Sequence, residues 1–540
     1  MIGFSPAAAA LRLREFPRPL GMTVAAGAFS LLMVLPLGYI LGYALRAGWA
    51  EWGLLWNNWL PRLLANTLSL GAATALVTLV IGGSLAWLVT RYDFPGKGVW
   101  SWLLATPLGI PPYIMAFVYT EMFLPGGWAQ VAAQSLFGPQ TRLPLLYGRF
   151  PAVVMVLALA TYPYVYLLVR ASLLSHNRTY EEAAQTLGVP RSLRFIRITL
   201  PLHRPAVMAG LFLVVMYVFA DFGAVSMMRF STFTRAIYME LVGRTDRVGA
   251  SLLCVVLIGL SAALLWLERR NRSRSRFFQT GGSFRAVPAA RVGLAGGLLI
   301  WGYFLLVLAA STGLVVAFLV TQSVEGIRQE GLSADLWGYA FNSLFGSASA
   351  ATLAVLMIVP LAYLSTRYRD RLYQIFLKLS YAGYVLPGPI IGVGVLFIAI
   401  HLFTPLYGTV ATVILAYLIR FLPQGLQAQE AAFHQVRPHL EEAARSLGAT
   451  FHAALLRVVF PLVRPGVITG WVLIFVSAMK ELPATLLLRP LGFDTLAVRI
   501  WIETSEEFYA LAAPAALILI GFTFPLFAIL LARTTRESIR

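Results

Sequence analysis

Few residues of this 540-residue chain are equipped for chemistry, and three of them sit where charge is expensive. Asp221 lies inside an apolar stretch, and Lys480 with Glu481 occupies the matching place later in the chain. Ionisable groups within apolar segments mark, by default, a pathway for an ion or polar solute. A carboxylate in each place would suit a hard cation that prefers oxygen ligands, and equally a cationic organic solute. The structural alternative is that Asp221 and Glu481 pair with Lys480 or with loop arginines and merely hold the chain together. No other constellation has the makings of an active centre. Cys254 is the only cysteine and falls in an apolar run, which leaves neither a disulfide framework nor a cysteine metal cluster within one chain. No clustered His/Glu set and no nucleophile with its base is legible. The sequence PGKG at 95–98 lacks the spacing and hydroxyl residue of a phosphate-binding loop, so nucleotide hydrolysis, if needed, must occur elsewhere.

A second signal is a duplicated charged segment. EEAAQTLGVPRSLRFIRITLP runs from Glu181 to Pro201, and EEAARSLGATFHAALLRVVFP from Glu441 to Pro461. Glu182, Ala183, Ala184 and Gly188 are in register with Glu442, Ala443, Ala444 and Gly448. Both copies predict a helix, a glycine turn and a second helix: Leu187-Gly188 reads as a helix C-cap, Pro190 suits a first helical turn, and Pro201 is expected to stop the second helix. In the second copy Thr450 is placed to cap that helix. The alanine pairs leave a face with little side-chain bulk, open to close approach by another protein. An amphipathic helix in the headgroup layer is the alternative. Duplication in register favours two copies of one docking partner.

The elements that position these residues are membrane spans. The chain is 59% hydrophobic and 12% charged, with a mean hydropathy of +0.76, against roughly 25% charged residues in a soluble domain. About twelve runs are long enough to cross a bilayer, near 22–45, 65–89, 99–122, 151–174, 205–228, 248–267, 292–320, 342–366, 376–401, 408–429, 465–488 and 510–533. The first is read as an uncleaved helix. The net charge of +19 does not indicate a nucleic-acid partner, because the basic residues gather in alternate loops. That pattern places both termini and both charged segments in the cytoplasm. One loop breaks it: Arg229, Arg235, Arg244 and Arg247 fall between spans five and six, which the count makes external.

The spans form two halves of one design. Asn66-Thr67-Leu68 and Asn342-Ser343-Leu344 open corresponding spans, Thr-Arg-Tyr closes both at 90–92 and 366–368, and Pro111-Pro112 corresponds to Pro387-Gly388-Pro389, all at one constant offset. The charged segments stand closer together than that offset, so the first half carries a short insertion, placed in the external loop before Phe150. Six spans per half give both halves one orientation, the parallel arrangement of a transporter. The expected organisation is a first half at 1–267 with its charged segment at 179–201, a basic cytoplasmic linker at 268–291, and a second half at 292–540 with its segment at 438–461.

The pattern formed by Glu182, Ala183, Ala184, Gly188, Ile198, Leu200 and Pro201 resembles the cytoplasmic signature of the permease subunits of binding-protein-dependent ABC importers. The second copy keeps Glu442, Ala443, Ala444, Gly448 and Pro461 but has Val458 and Phe460 at the aliphatic positions. The resemblance covers both halves, and ADFGAVSMM at 220–228 with KELPATLLLRPLGFDTLAVRIW at 480–501 is similar to the fused ferric-iron permeases. It implies an all-α polytopic membrane protein of about twelve helices in two parallel six-helix pseudo-repeats, like the type I importers. It implies too that each charged segment is a coupling helix seated on one of two copies of a nucleotide-binding subunit, which alone binds ATP and Mg; an external or periplasmic substrate-binding protein delivers the cargo. On this reading the chain is no enzyme, holds no cofactor, contacts the lipid bilayer and resides in a bacterial inner membrane. Ferric iron is the expected cargo, with thiamine, a polyamine or a phosphonate as alternatives in the same class. An ion-gradient secondary transporter would share the parallel halves but has no use for paired coupling segments. Closure of the ATPase dimer is expected to move both segments together and open the interface between the halves.

Overall fold

The computed structural model describes residues 20–175, 179–274, 289–368, 370–384 and 386–537. Among them, ten helices are long and apolar enough to cross a bilayer: Leu20–Ala44, Leu60–Arg91, Phe150–Leu174, Ser192–Ala220, Arg247–Asn271, Leu294–Gln329, Asp335–Arg367, Val410–Gln435, Phe451–Met479 and Tyr509–Ala528. The two other expected spans, the third and ninth, are not straight. Lys97–Gly109 and Pro112–Met122 meet at 85°, because Pro111 is extended (φ −60°, ψ 137°), the conformation that a following proline imposes. In the ninth, Arg371–Ser380 is separated from Gly388–His401, whose 14 residues are too few to cross alone. The prolines that mark the repeat are therefore the two breaks.

Pro201 does not end a helix as expected, and neither does Pro461. A turn of π-helix precedes each, at Phe195–Thr199 and Leu455–Val459, and the helix runs on through the proline. Proline is tolerated there because it stands in the first turn after the register change, where the missing N–H is least costly.

Chain contacts divide the protein into two compact units, one of Met1–Gly42 with Phe341–Thr495, the other of Tyr43–Ala340 with Leu496–Arg540. This partition is interleaved relative to the halves drawn from the repeat. In the first unit the opening helix, Leu20–Ala44, packs on second-repeat elements: Ser30 Oγ lies 3.1 Å from Ser380 Oγ, and the Tyr39 and Phe397 rings are 5.1 Å apart. In the second unit Leu294–Gln329 packs on first-repeat elements, with Tyr303 Oη 2.7 Å from Ser84 Oγ and Trp301 Nε1 donating to the Pro95 carbonyl at 3.1 Å. The closing helix, Tyr509–Glu537, joins it there: Thr523 Oγ1 donates to the Gly109 carbonyl at 3.0 Å. The only strands among the described residues are two residues each, Tyr92–Asp93 paired parallel to Ala290–Arg291. Most of the expected linker, residues 275–288, lies outside the described residues.

Within each unit the repeat is legible as contact. A Cβ on Gly210 would stand 3.0 Å from Val165 Cα, and one on Gly470 would stand 3.2 Å from Gly425 Cα, the same crossing in the other repeat. Small residues at such crossings let helix backbones approach closely in lipid, where apolar burial alone gives little drive. Asn66 Nδ2 donates to the Ser231 carbonyl at 2.9 Å and Asn342 Nδ2 to the Asp494 carbonyl at 3.0 Å, so the asparagine that opens each matching span secures a later loop of its own half. The first-half insertion contains a helix, Trp128–Phe137, whose buried Gln130 accepts from Leu143 N–H at 2.8 Å and donates to the Thr141 carbonyl at 2.6 Å.

Candidate functional site

The two charged segments adopt one local structure. The helices Thr179–Thr186 and Pro438–Ser446 end in a glycine with positive φ, 72° at Gly188 and 91° at Gly448. In the first, Gly188 N–H donates to the Gln185 carbonyl and Val189 N–H to the Ala184 carbonyl, both at 3.0 Å. In the second, Gly448 N–H reaches the Arg445 carbonyl at 3.0 Å and Ala449 N–H that of Ala444 at 3.1 Å. This is the Schellman closure, which requires a left-handed residue after the helix and so favours glycine. Thr450 caps the next helix as expected, its Oγ1 accepting from Ala453 N–H at 3.3 Å.

The exposed chemistry of these tips differs from the expectation. Ala184 is buried against its own unit, so it does not belong to an open docking face, and Ala444 is half-buried. The side chain of Ala183 lies outside the described residues, and Ala443 is exposed. What the tips present instead is a leucine just before each glycine: Leu187 is 81% exposed and Leu447 89%. Neither was singled out from sequence as more than part of a cap, although the repeated Leu-Gly was in view.

Glutamates also divide their work. Glu442 is half-exposed, 3.0 Å from His439 Nδ1, and Glu182 is half-buried. Beside Glu442, Glu441 went unremarked in the sequence and is buried: Tyr363 Oη donates to Oε1 at 2.6 Å, and Arg367 Nε stands 3.6 Å from Oε2. Arg367 Nη1 donates to the Val436 carbonyl at 2.9 Å. The helix of the second charged segment is thereby bolted to the end of the span Asp335–Arg367. The same place in the first half holds Trp87, stacked edge-on to Phe195 at 5.1 Å, with the Arg91 guanidinium 4.8 Å from the Trp87 ring centre. The paired Thr-Arg-Tyr closures were the available signal for this junction.

Asp221, Lys480 and Glu481 stand at helix breaks rather than inside continuous spans. Ser192–Ala220 ends just before Asp221 and a short helix, Gly223–Met227, follows. Phe451–Met479 ends before Lys480, and Pro483–Leu488 follows, with Pro483 opening the new helix. Asp221 Oδ1 accepts from Val225 N–H at 3.1 Å, and Glu481 Oε1 accepts from Ala484 N–H at 3.1 Å, so each carboxylate caps the short helix after its break. Thr234 Oγ1 donates to the Asp221 carbonyl at 2.5 Å, and Thr485 Oγ1 to that of Glu481 at 3.1 Å. The partner of Glu481 is neither Lys480 nor a loop arginine but Arg420, in Val410–Gln435, with Nη1 3.1 Å from Oε1. Gly388 makes room for that pair, because a Cβ there would collide with Arg420 and stand 2.8 Å from Glu481 Oε1. The first half has Ala160 where the second has Arg420, so the two breaks share a frame but not a charge. Among the described residues no group of three or more His, Cys, Asp or Glu is arranged to hold a metal ion.

Glu481→Gln is expected to leave Arg420 without its counter-charge, costing about 3 kcal/mol and lowering transport more than tenfold. The double change Arg420→Met with Glu481→Met should restore thermal stability, since a buried pair replaced whole is often neutral. Recovery of transport along with stability would show that the pair only holds the structure.

A chain of bilayer-crossing helices in two repeats, each with an exposed charged tip and an interrupted span, defines a membrane transport permease. The chain belongs to the family of binding-protein-dependent transport system inner membrane components, whose model matches residues 78–321 and 358–537. It is 27% identical over 509 residues to the "Fe(3+)-transport system permease protein FbpB 2" of Haemophilus influenzae, covering 94% of this chain and 96% of the relative. It is 25% identical to the "Ferric transport system permease protein FbpB" of Actinobacillus pleuropneumoniae, over 88% of this chain and 72% of that one. The "Sulfate transport system permease protein CysT" of Salmonella typhimurium is 28% identical over 254 residues, 46% of this chain and 88% of the relative. The protein is therefore an inner-membrane permease component of a binding-protein-dependent transport system, with the all-α, two-repeat architecture of that class.

Proposed function

We propose that the chain forms the translocation pathway of an ATP-driven importer for ferric iron, delivered by an external substrate-binding protein and powered by two copies of a separate ATPase that bind ATP and Mg. The observation that carries the ATPase reading is the pair of matching Schellman-closed tips, one in each repeat, each presenting one bare leucine. Two matching tips fit two copies of one partner. Glu182, Ala183, Ala184 and Gly188, with Glu442, Ala443, Ala444 and Gly448, make up the coupling segments, and both termini lie on the ATPase side. The cargo reading is supported by relatives that match 94% and 88% of this chain and are named for ferric transport, whereas the sulfate relative matches 46% of it. Asp221, Lys480 and Glu481 are the pathway candidates, standing where the spans open and backbone polar groups become available.

Each stroke works through rigid connections. Movement of the ATPase shifts the coupling tip, and Glu441 with Arg367 and Tyr363 passes that shift into a span. Gly188→Val and Gly448→Val test the tip. Space is not limiting, for nothing lies within 4 Å of a Cβ at either site, but a β-branched residue at positive φ costs about 1–2 kcal/mol. Hydrolysis is expected to continue while uptake falls severalfold; unchanged uptake in both variants would remove the coupling role.

The decisive assay is uptake into proteoliposomes holding the chain with its co-purified ATPase and internal ATP, offered labelled ferric iron or thiamine with their cognate binding proteins. ATP-dependent iron uptake is expected. Thiamine uptake instead would discard the iron reading and keep the ATPase reading, and uptake without ATP would discard the ATPase reading.

A further inference from the structure

Two of the four arginines that defy the charge rule for loops, Arg235 and Arg244, line a pocket. In the unit formed by Tyr43–Ala340 and Leu496–Arg540, a cavity of about 440 Å³ is bounded by Trp59, Arg62, Ser231, Arg235, Met239 and Arg244, among others. It lies at the start of Leu60–Arg91, and roughly 36 Å of helix axis separates Leu63 from Trp87, which meets the coupling arm through Phe195. The pocket therefore opens at the end of the unit away from the coupling tip.

Its electrostatics are unbalanced. Three guanidiniums line it, and the carboxylate in contact is Glu240, 3.1 Å from Arg244 Nη1. Arg244 also lies over the Trp59 ring, 4.3 Å from its centre. Arg235 is half-buried and, among the described residues, donates only to neutral oxygens, the Arg229 carbonyl at 3.3 Å and Ser231 Oγ at 3.5 Å. Burial, and then the charge of Arg229, pull its pKa below the ordinary value. Arg62 is exposed and forms no ion pair among the described residues. Guanidinium forks converging on a concave site suit a planar or tetrahedral oxyanion.

The neighbourhood is that of a membrane surface. Just before the pocket, the helix Trp49–Asn58 buries none of its residues and exposes Trp49 (92%), Leu54 and Trp56. Tryptophans of this kind settle at headgroup level. We propose that the pocket is a binding site for a phosphate-type oxyanion, gripped by Arg62, Arg235 and Arg244 beside Trp59. The oxyanion comes either from an anionic phospholipid headgroup or from free phosphate. The inference does not depend on the cargo, and it gives Arg235 and Arg244 of this loop a reason to sit opposite the coupling side.

The test uses the full chain with its ATPase in phosphatidylcholine nanodiscs. Phosphatidylglycerol is added at rising mole fraction, or inorganic phosphate at constant ionic strength against chloride, and bound phosphate species are counted by native mass spectrometry. One phosphate-bearing species per chain is expected, with affinity at least tenfold weaker in Arg62→Gln/Arg235→Gln and weaker in Arg62→Gln alone, whose exposed side chain can be lost without unfolding. Retention of the lipid only identifies a headgroup site; retention of inorganic phosphate, or its competition with lipid, identifies a free-oxyanion site. Equal binding by wild type and variants, or none by either, overturns the proposal. So does absent phosphate binding combined with loss of binding-protein-stimulated hydrolysis in the variants, which would make the pocket a dock for an acidic protein surface. Failure of iron uptake with phosphate binding intact would count against the cargo alone.

Discussion

Changing Leu187 and Leu447 together to aspartate is expected to release the ATPase from the detergent-solubilised complex. Burying a leucine side chain is worth about 1.5–3 kcal/mol, so two equivalent tips contribute roughly 3–6 kcal/mol, or some hundred- to ten-thousandfold in affinity. A buried aspartate would add its own desolvation cost. Because both side chains face outward at the ends of Schellman-closed helices, the fold should not suffer. The measurement is ATPase retained on affinity-purified chain, with circular dichroism and thermal unfolding as the check on folding. The single changes should weaken retention partly and to similar degrees. Full retention by a folded double variant would mean that the tips are not the docking sites.

Glu441→Ala is expected to strike the fold rather than the docking surface. It removes the acceptor of Tyr363 Oη and the counter-charge of Arg367, whose side chain is 9% exposed, so the loss belongs with broken buried pairs at about 3–5 kcal/mol. Glu441→Gln keeps a hydrogen-bond acceptor for Tyr363 and should lose less. Thermal unfolding in detergent reads the difference, and ATPase retention reads whether the tip is still presented. Glu442→Ala, next in sequence but half-exposed, should leave the unfolding temperature nearly unchanged. If Glu441→Ala and Glu442→Ala unfold alike, Glu441 is no bolt.

These two adjacent glutamates show where sequence reasoning stops. The repeated Glu-Ala-Ala pattern directs attention to Glu442, and the register of two neighbours cannot say which one faces the span, because a modest turn of the helix about its axis exchanges them. Arg420 escaped for a related reason: one arginine in a long apolar run carries no sign of its partner, and Glu481 is distant in sequence. The exposed leucines are invisible to composition, since leucine in a membrane protein is ordinarily buried or lipid-facing.

What the sequence by itself determined is everything periodic or duplicated. Apolar length specified the spans, since only a helix satisfies its backbone groups in hydrocarbon. The constant offsets between equivalent motifs specified two copies of one design, with glycine turns at equal positions. Pro111-Pro112 and Pro387-Gly388-Pro389 are legible in the sequence as markers of the repeat, whereas the breaks they make in the third and ninth spans emerge only in the structure. The tertiary structure alone decided which spans keep company: the opening helix lies with second-repeat elements, and Leu294–Gln329 and the closing helix lie with first-repeat elements. It decided too which charges are partnered, with Glu481 on Arg420 and Glu441 on Arg367. Both are choices among chemically similar surfaces distant in sequence. Hydropathy ranks such surfaces equally, and only shape and a few hydrogen bonds separate them.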